Sequence, residues 1–411
     1  MARRELLLAV LACGGLPLYA SAQFVPGDLY ISAYDRIYHV DVTDWTFSTF
    51  ADASDGLTEP GGVTFSPSGS LLCANFDTDQ ILAFDASGVA TVLLDAANGL
   101  DGPAAVTYDA ACNLFESNDW TSQVLLFPSG GGAASVVADS SSGVLYPGDI
   151  IVEASGRTLF TDFYPLAIWS VDAAGTVAVF DTLPASPMSL ALRTNGDVYV
   201  TVGYSGSGIS VYRYPSGDAS QRYLLCNFPK SFGWAALQVS LDQKTLYFAT
   251  DDELYTIDAD AGVAANVIDK SKQFYNSYAI AVFRPRANWS NYGTGFLGSN
   301  GVPAFTSQAN PVLGTTVTVD LANSYGQPTI GLLFAGFQQA NLHTAWGGDL
   351  LVVPSITFPI TFSYGFNSFA GALPDDPLLA GTKLDLQAIE ADPGAAKGVS
   401  FTQGLELVLG Y

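Results

Sequence analysis

An all-β chain, a six-bladed β-propeller with a C-terminal β-sandwich domain, is the fold class that this sequence predicts, and three observations predict it. The first is a phrase spelled twice: residues 75–88 read "NFDTDQILAFDASG" and residues 118–131 read "NDWTSQVLLFPSGG". Aligned on the residue that ends its apolar run, the phrase recurs at Val40, Phe84, Phe127, Val171, Tyr214 and Ile257, at spacings of 44, 43, 44, 43 and 43. A repeat in the low forties is the length of one four-stranded propeller blade. The second observation is what each repeat contains, and the third is how the count closes.

In chain order, "MARRELLLAVLACGGLPLYASA" opens on Arg3 and Arg4, runs apolar to about Leu16 and ends on small residues. Residues 1–22 are therefore expected to be a signal peptide cleaved near Ala22. The run is too short, and too interrupted by Gly14, Gly15 and Pro17, to span a bilayer. A lipobox-like Val10-Leu11-Ala12-Cys13 makes a lipoprotein anchored at Cys13 the alternative. In both cases the expected location is secreted or cell-surface, with no transmembrane span.

"GDLYISAYDRIYHVDV" (27–42) then starts the repeat with no innermost strand ahead of it. Innermost strands follow at "EPGGVTF" (59–65), "GPAAVTY" (102–108), "YPGDIIV" (146–152), "SPMSLAL" (186–192) and "GWAALQV" (233–239). Most open on Pro or Gly and pass into small and β-branched residues, which suits strands crowded round an axis. Alternating second strands such as "CNLFESN", third strands such as "QVLLF" and a short outer run such as Val89–Leu94 complete each repeat. "SYAIAVF" (277–283) is left over; joined to 27–50 it completes a sixth blade from both chain ends and removes two open edges. The propeller is assigned to 24–285, with a linker over 286–291. Residues 292–411 lose the repeat, and runs such as "TTVTVDL" (315–321), "TIGLLFAGF" (329–337) and "LELVLG" (405–410) predict the β-sandwich.

The repeats "LTEPGGVTFSPSGSLLCANFDTDQILAFDASG" and "LDGPAAVTYDAACNLFESNDWTSQVLLFPSGG" resemble the NHL-repeat and gluconolactonase-like six-bladed propellers. The likeness spans 24–285 and rests on structural glycines and strand residues, so it implies fold more than activity. The stretch from "YGTGFLGSNGVPAF" to "GVSFTQGLELVLGY" resembles a module that follows unrelated exported domains in bacteria, which implies attachment or export. Gluconolactonase-like members hold a divalent cation on the axis through Glu, Asn and Asp side chains. The positions matching the Asn are Gly61, Ala104, Gly148, Met188, Ala235 and Tyr278, a poor set for a cation that wants several oxygens. Lactonase activity is not carried over, although Glu59 and Asp149 are free to face the axis. A divalent-cation-dependent lactonase-like hydrolase stays as the alternative function.

A formal charge of -24 argues against nucleic acid and anionic membrane as partners. Only His39 and His343 exist, in different predicted domains, so a His-rich zinc site or an intradomain triad lacks its parts. "GYSGSG" (203–208) misses the spacing of a nucleophile elbow and reads as a turn. Cys73, Cys112 and Cys226 permit at most one disulfide. No catalytic residue, metal or cofactor is expected.

What remains is one face of the disc, where second strands end and innermost strands begin. Its loops hold Tyr34, Asp35, Phe76, Asp77, Asp79, Asp119, Trp120, Phe163, Tyr164, Tyr204, Asp251 and Asp252, with Trp234 and Tyr278 at innermost-strand starts. Rings stack on apolar or cationic groups while carboxylates accept hydrogen bonds, which suits sugars, peptides or cations. The ligand-binding candidates are Trp120, Tyr164, Tyr204, Trp234, Tyr278, Asp77, Asp119 and Asp251, and the expected partner is an extracellular saccharide, peptide or protein. If the rings only pack between blades and the acids only make turns, the rings should be buried.

Overall fold

A computed structural model describes residues 24–203, 208–229, 233–272, 274 and 277–411. The expected signal peptide, with Cys13 and Ala22, lies outside the described residues. The chain divides into two compact units, one ending at Phe283 and one spanning Arg284–Tyr411.

The first unit is a β-propeller of six four-stranded antiparallel sheets. Blade 1 combines Ser277–Val282 with Leu29–Ala33, Arg36–Asp41 and Thr46–Asp52, and Ile31 sits opposite Ile280. Blades 2 to 6 follow in chain order from the innermost strands Pro60–Phe65, Pro103–Tyr108, Pro147–Val152, Pro187–Leu192 and Ala236–Val239. Each innermost strand touches the next, and Ala236–Val239 touches Ser277–Val282, which closes the ring.

Burial explains why these sequences take these places. Second strands such as Leu71–Asn75 and Leu114–Asn118 are buried throughout, whereas the outer strand Ala90–Leu94 is largely exposed. Blades join through apolar seams: Leu72, Ala74 and Ile81 of blade 2 pack with Leu100, Val106 and Leu125 of blade 3. Around the axis the backbones come closer than side chains allow. A Cβ on Gly61 would lie 2.6 Å from the Ala104 carbonyl oxygen, and one on Gly62 would lie 2.6 Å from Ala105 Cα.

The innermost strands of blades 2 to 5 are bulged just after their opening proline, with register breaks after Pro60, Pro103, Pro147 and Pro187. Hydroxyls on the second strands take up amides near these breaks and then bridge to the next blade. Ala105 N–H donates to Ser117 Oγ at 3.0 Å, and that hydroxyl donates to the Gly148 carbonyl at 2.7 Å. Thr201 does the same between Ser189 N–H and the Ala235 carbonyl, and Ser32 between Ala279 N–H and the Gly61 carbonyl.

The second unit is all-β. Asn288–Tyr292, Gly404–Val408, Lys383–Ala391, Thr329–Gly336 and Ile356–Phe362 lie in that order in one sheet, with Val399–Phe401 also paired to Lys383–Ala391. A second sheet orders Phe305–Ser307, Thr316–Ala322 and Phe366–Ala372, and a third pairs Gln339–His343 with Asp349–Val352. Cys73 is buried in the seam with Val63 and Leu82.

Candidate functional site

The loops at one end of the propeller are held by the residues that end the second strands. Asn75 accepts from Thr58 N–H at 2.7 Å and donates to the Gly56 carbonyl, and Asn118 does the same with Asp101 N–H and the Gly99 carbonyl. In blade 4 the position is Asp162, whose buried carboxylate accepts from Leu145 N–H, Tyr146 N–H and Trp169 Nε1 at 2.8 to 3.0 Å. In blade 6 Asp251 accepts from Gly233 N–H at 2.6 Å and Trp234 N–H at 3.1 Å. Asp79 reaches across to the Gly102 N–H of the next blade at 2.8 Å. The ends of blades 2, 3, 4 and 6 are thus fastened to neighbouring loops at this end.

Those residues are exposed. The propeller's exposed aromatics, among the described residues, are Tyr34, Trp120, Tyr146, Tyr164, Tyr223 and Trp234, and all but Tyr223 lie at this end. Tyr146 meets Tyr164 with ring centroids 4.7 Å apart, Tyr164 meets Phe163 at 5.4 Å, Phe163 meets Trp234 at 5.9 Å and Trp234 meets Tyr278 at 6.2 Å. The result is a continuous aromatic arc from blade 4 to blade 1. Trp120 stands in a separate pair with Phe76, edge to face at 5.2 Å, and its ring lies against Gly102, where a Cβ would come within 3.0 Å of it.

Carboxylates accompany both groups. Burial, then the charge of Asp77 and a hydrogen bond with it, push Glu59 above the usual carboxylate range. Glu59 also holds a left-handed backbone, φ 52°, directly before Pro60, a conformation that a non-glycine residue adopts at a cost. The Tyr278 phenol is pushed up by burial and by the charges of Glu59, Tyr34 and Asp251, which places the end of the arc beside these groups. Asp119, next to Trp120, is raised to about 6 by burial and the Asp162 charge. Asp149, on the innermost strand of blade 4, is also raised to about 6 by burial. It accepts from Ser189 Oγ at 2.8 Å and Leu190 N–H at 2.7 Å, so its carboxylate stitches blade 4 to blade 5.

Of the residues singled out from sequence, Tyr164, Trp234 and Tyr278 come together in the arc, while Trp120 and Asp119 form a second group. Asp77 is exposed beside Glu59, and Asp251 acts on the site through the Trp234 loop that it holds. Tyr204 lies outside the described residues. His39 is bonded to Asp28 and stacked on Tyr30, and His343 is bonded to Asp349. No three His, Cys, Asp or Glu side chains converge as a metal site requires, among the described residues.

Two residues escaped the sequence reading. Tyr146, an end of the arc, stands directly before the Pro that opens an innermost strand, one and two positions ahead of those that Trp234 and Tyr278 occupy in their blades. Glu116 is fully buried, its two carboxyl oxygens have no hydrogen-bond partner, and burial raises it well above the usual range. The repeat itself marks it: the equivalent positions are Ile31, Cys73, Phe160, Val200 and Phe248.

No family model matches this chain, and no curated protein is similar to it in sequence. Solved structures are similar in fold. A chain of a nidogen/laminin complex aligns at 13% identity and a TM-score of 0.52, covering 62% of this chain and 97% of its own. A gluconolactonase from Xanthomonas campestris aligns at 16% identity and 0.48, covering 64% and 91%. A catalytically inactive virginiamycin B lyase from Staphylococcus aureus, crystallised with quinupristin, aligns at 11% and 0.45, covering 72% and 92%. At these identities the likeness speaks to fold alone.

Proposed function

We propose that this protein is a secreted, noncatalytic recognition propeller that binds an extended extracellular ligand across the face carrying Trp120, Tyr164, Trp234 and Tyr278. The C-terminal all-β unit serves attachment or export. One observation carries the reading: among the described residues, the exposed aromatics of the propeller, Tyr223 apart, collect at one end, where loop backbones are tied down by Asn118, Asp162 and Asp251. Rings that merely filled space between blades would be buried like Phe84, Phe160 and Phe248. Held rings lose little entropy on binding, which is what a recognition surface needs. Export is supported by the leader-like composition of residues 1–22. Among the described residues no helix is long and apolar enough to cross a membrane.

A glycan and peptide array probed with the wild-type chain and with Trp120→Ala and Tyr164→Ala tests the reading. Each variant is expected to weaken binding by about 1–3 kcal/mol while keeping the wild-type melting transition. Absence of any binder, or variants that lose stability without specific loss of binding, would refute it. A chelator-sensitive turnover of sugar lactones by the purified protein would instead establish the hydrolase.

A further inference from the structure

The charge at the aromatic end is as one-sided as its chemistry. Its loops carry Glu59, Asp77, Asp79, Asp119, Asp251 and Asp252. Of the described cations on that side, Arg36 is held by Asp35 at 2.7 Å, and Lys270 and Lys272 lie in the turn that leaves the outer strand Ala264–Ile268. The opposite end is arranged differently, because several of its carboxylates have arginines. Asp197 and Asp260 are matched by Arg213 and Arg193 at 2.6 to 2.9 Å, and Glu153 by Arg157. At the aromatic end carboxylates face one another instead: Glu59 meets Asp77, and Asp119 feels Asp162. Setting like charges side by side is costly unless a cation joins them.

The geometry points to a basic peptide, an extended segment bearing Arg or Lys, as the occupant of the aromatic arc and its flanking carboxylates. This rests on the recognition reading above and narrows its ligand. Trp and Tyr faces attract guanidinium and ammonium groups through their quadrupole, and guanidinium also stacks flat on them. The ligand then adds cations at an end whose carboxylates outnumber its described cations. The four ring-to-ring steps from Tyr146 to Tyr278 add to at most about 22 Å of path, room for roughly six or seven residues of extended chain.

The test uses the full chain and three probes of stated chemistry: a fluorescent peptide of four Arg-Ser repeats, its Glu-Ser counterpart, and a neutral hexasaccharide such as cellohexaose. Binding is read by anisotropy for the peptides and calorimetry for the sugar. The Arg-Ser peptide is expected to bind saturably and the Glu-Ser peptide not at all. Trp234→Ala and Tyr164→Ala should each weaken Arg-Ser binding about tenfold or more. Asp119→Asn should weaken it several-fold, and Asp85→Asn, at the opposite end, should leave it unchanged. If the hexasaccharide binds, is lost with the ring variants, and the Arg-Ser peptide does not bind, the inference falls while the recognition reading stands. If no probe binds, and the arrays are also empty, both fall. Arg-Ser binding that ignores the ring variants and is weakened as much by Asp85→Asn would be diffuse attraction to an acidic protein, and would overturn the inference.

Discussion

The two ends of the propeller both reverse the chain about twice per blade and both use aspartate-capped turns, yet one of them adds a group of exposed aromatic residues. At the end opposite the arc, Asp85 accepts from Ser87 N–H, Ser87 Oγ and Val89 N–H, Asp172 accepts from Ala174 and Thr176 N–H, and Asp258 accepts from Asp260 and Ala261 N–H. These turns satisfy their own backbone with an Asp and little else. Reversing the chain therefore requires no aromatic residue, and Trp120, Tyr146, Tyr164 and Trp234 are surplus to it. The same difference appears in the fastenings. Asp85, Asp172 and Asp258 bond locally and are exposed, while Asp162 reaches 16 and 17 residues back to hold a loop from a buried position.

The largest effect should come from breaking what both ends share, the closed ring. Deleting 277–283 removes the strand paired to Leu29–Ala33 and exposes edges on blade 1 and in the contacts of blades 2 and 6. The expected result is loss of the cooperative thermal transition in calorimetry. A transition left at the wild-type temperature would mean that the ring does not need this strand.

Next in size is Asp162→Ala, which leaves two amides and the Trp169 indole N–H without their buried acceptor. A loss of about 3–5 kcal/mol is expected in denaturant unfolding, with Asp162→Asn costing less because it keeps an acceptor oxygen. Asp172→Ala at the opposite end should shift the midpoint far less, since water replaces the lost partner. Equal shifts for the two alanine variants would erase the distinction between the ends.

A smaller effect is expected inside the ring, at the hydroxyls that bridge blades. Ser117→Ala strands the Ala105 amide and the Gly148 carbonyl, both close to the axis, and should cost about 1–3 kcal/mol. Blade 2 has Ala74 at the matching position and blade 6 has Ala249, so the bridge is not needed in every blade. Ser117→Thr, which preserves the hydroxyl, should recover most of the loss in the same unfolding assay.

The period of 43 or 44 residues made the all-β propeller legible, because six copies of a strand pattern at fixed spacing leave few other ways to bury their apolar faces. The aromatic end was legible in part, because topology alone sends the second-strand ends and innermost-strand starts to one side. What the sequence could not show was grouping. Trp120 and Tyr164 look alike in the repeat, yet one pairs with Phe76 and the other joins the arc, a difference set by blade position and by how Gly102 admits the indole. Nor could it show that Asp251 is spent on Gly233 and Trp234 N–H, since an Asp after a strand reads equally as ligand contact or turn. Hydroxyls such as Ser32, Ser117 and Thr201 passed as ordinary strand residues because their partners come from the next blade.

Protons separate the turn aspartates from the buried acids. Asp85, Asp172 and Asp218 are lowered, chiefly by hydrogen bonds from neighbouring Ser, Thr and backbone groups, so their stabilisation is present above about pH 4 and is lost as pH falls through their folded values. Asp119 and Asp149 are raised to about 6, and Glu116 is raised well above its ordinary value, all by burial first. For these the folded protein keeps a proton that the unfolded chain has shed, so stability falls as pH rises from about 4 through 6. The melting temperature should accordingly climb on acidification from pH 7 to about 5 and drop again below about 4. Glu116→Met isolates the buried share: it fills the site with an apolar chain of similar length and removes a carboxyl whose oxygens have no partner. A gain of about 1–2 kcal/mol at pH 7 is expected, shrinking toward pH 5 as the unfolded wild-type chain regains the proton that the folded state keeps. A Glu116→Met protein whose pH profile runs parallel to the wild type from 5 to 8 would show that this carboxyl does not titrate with folding.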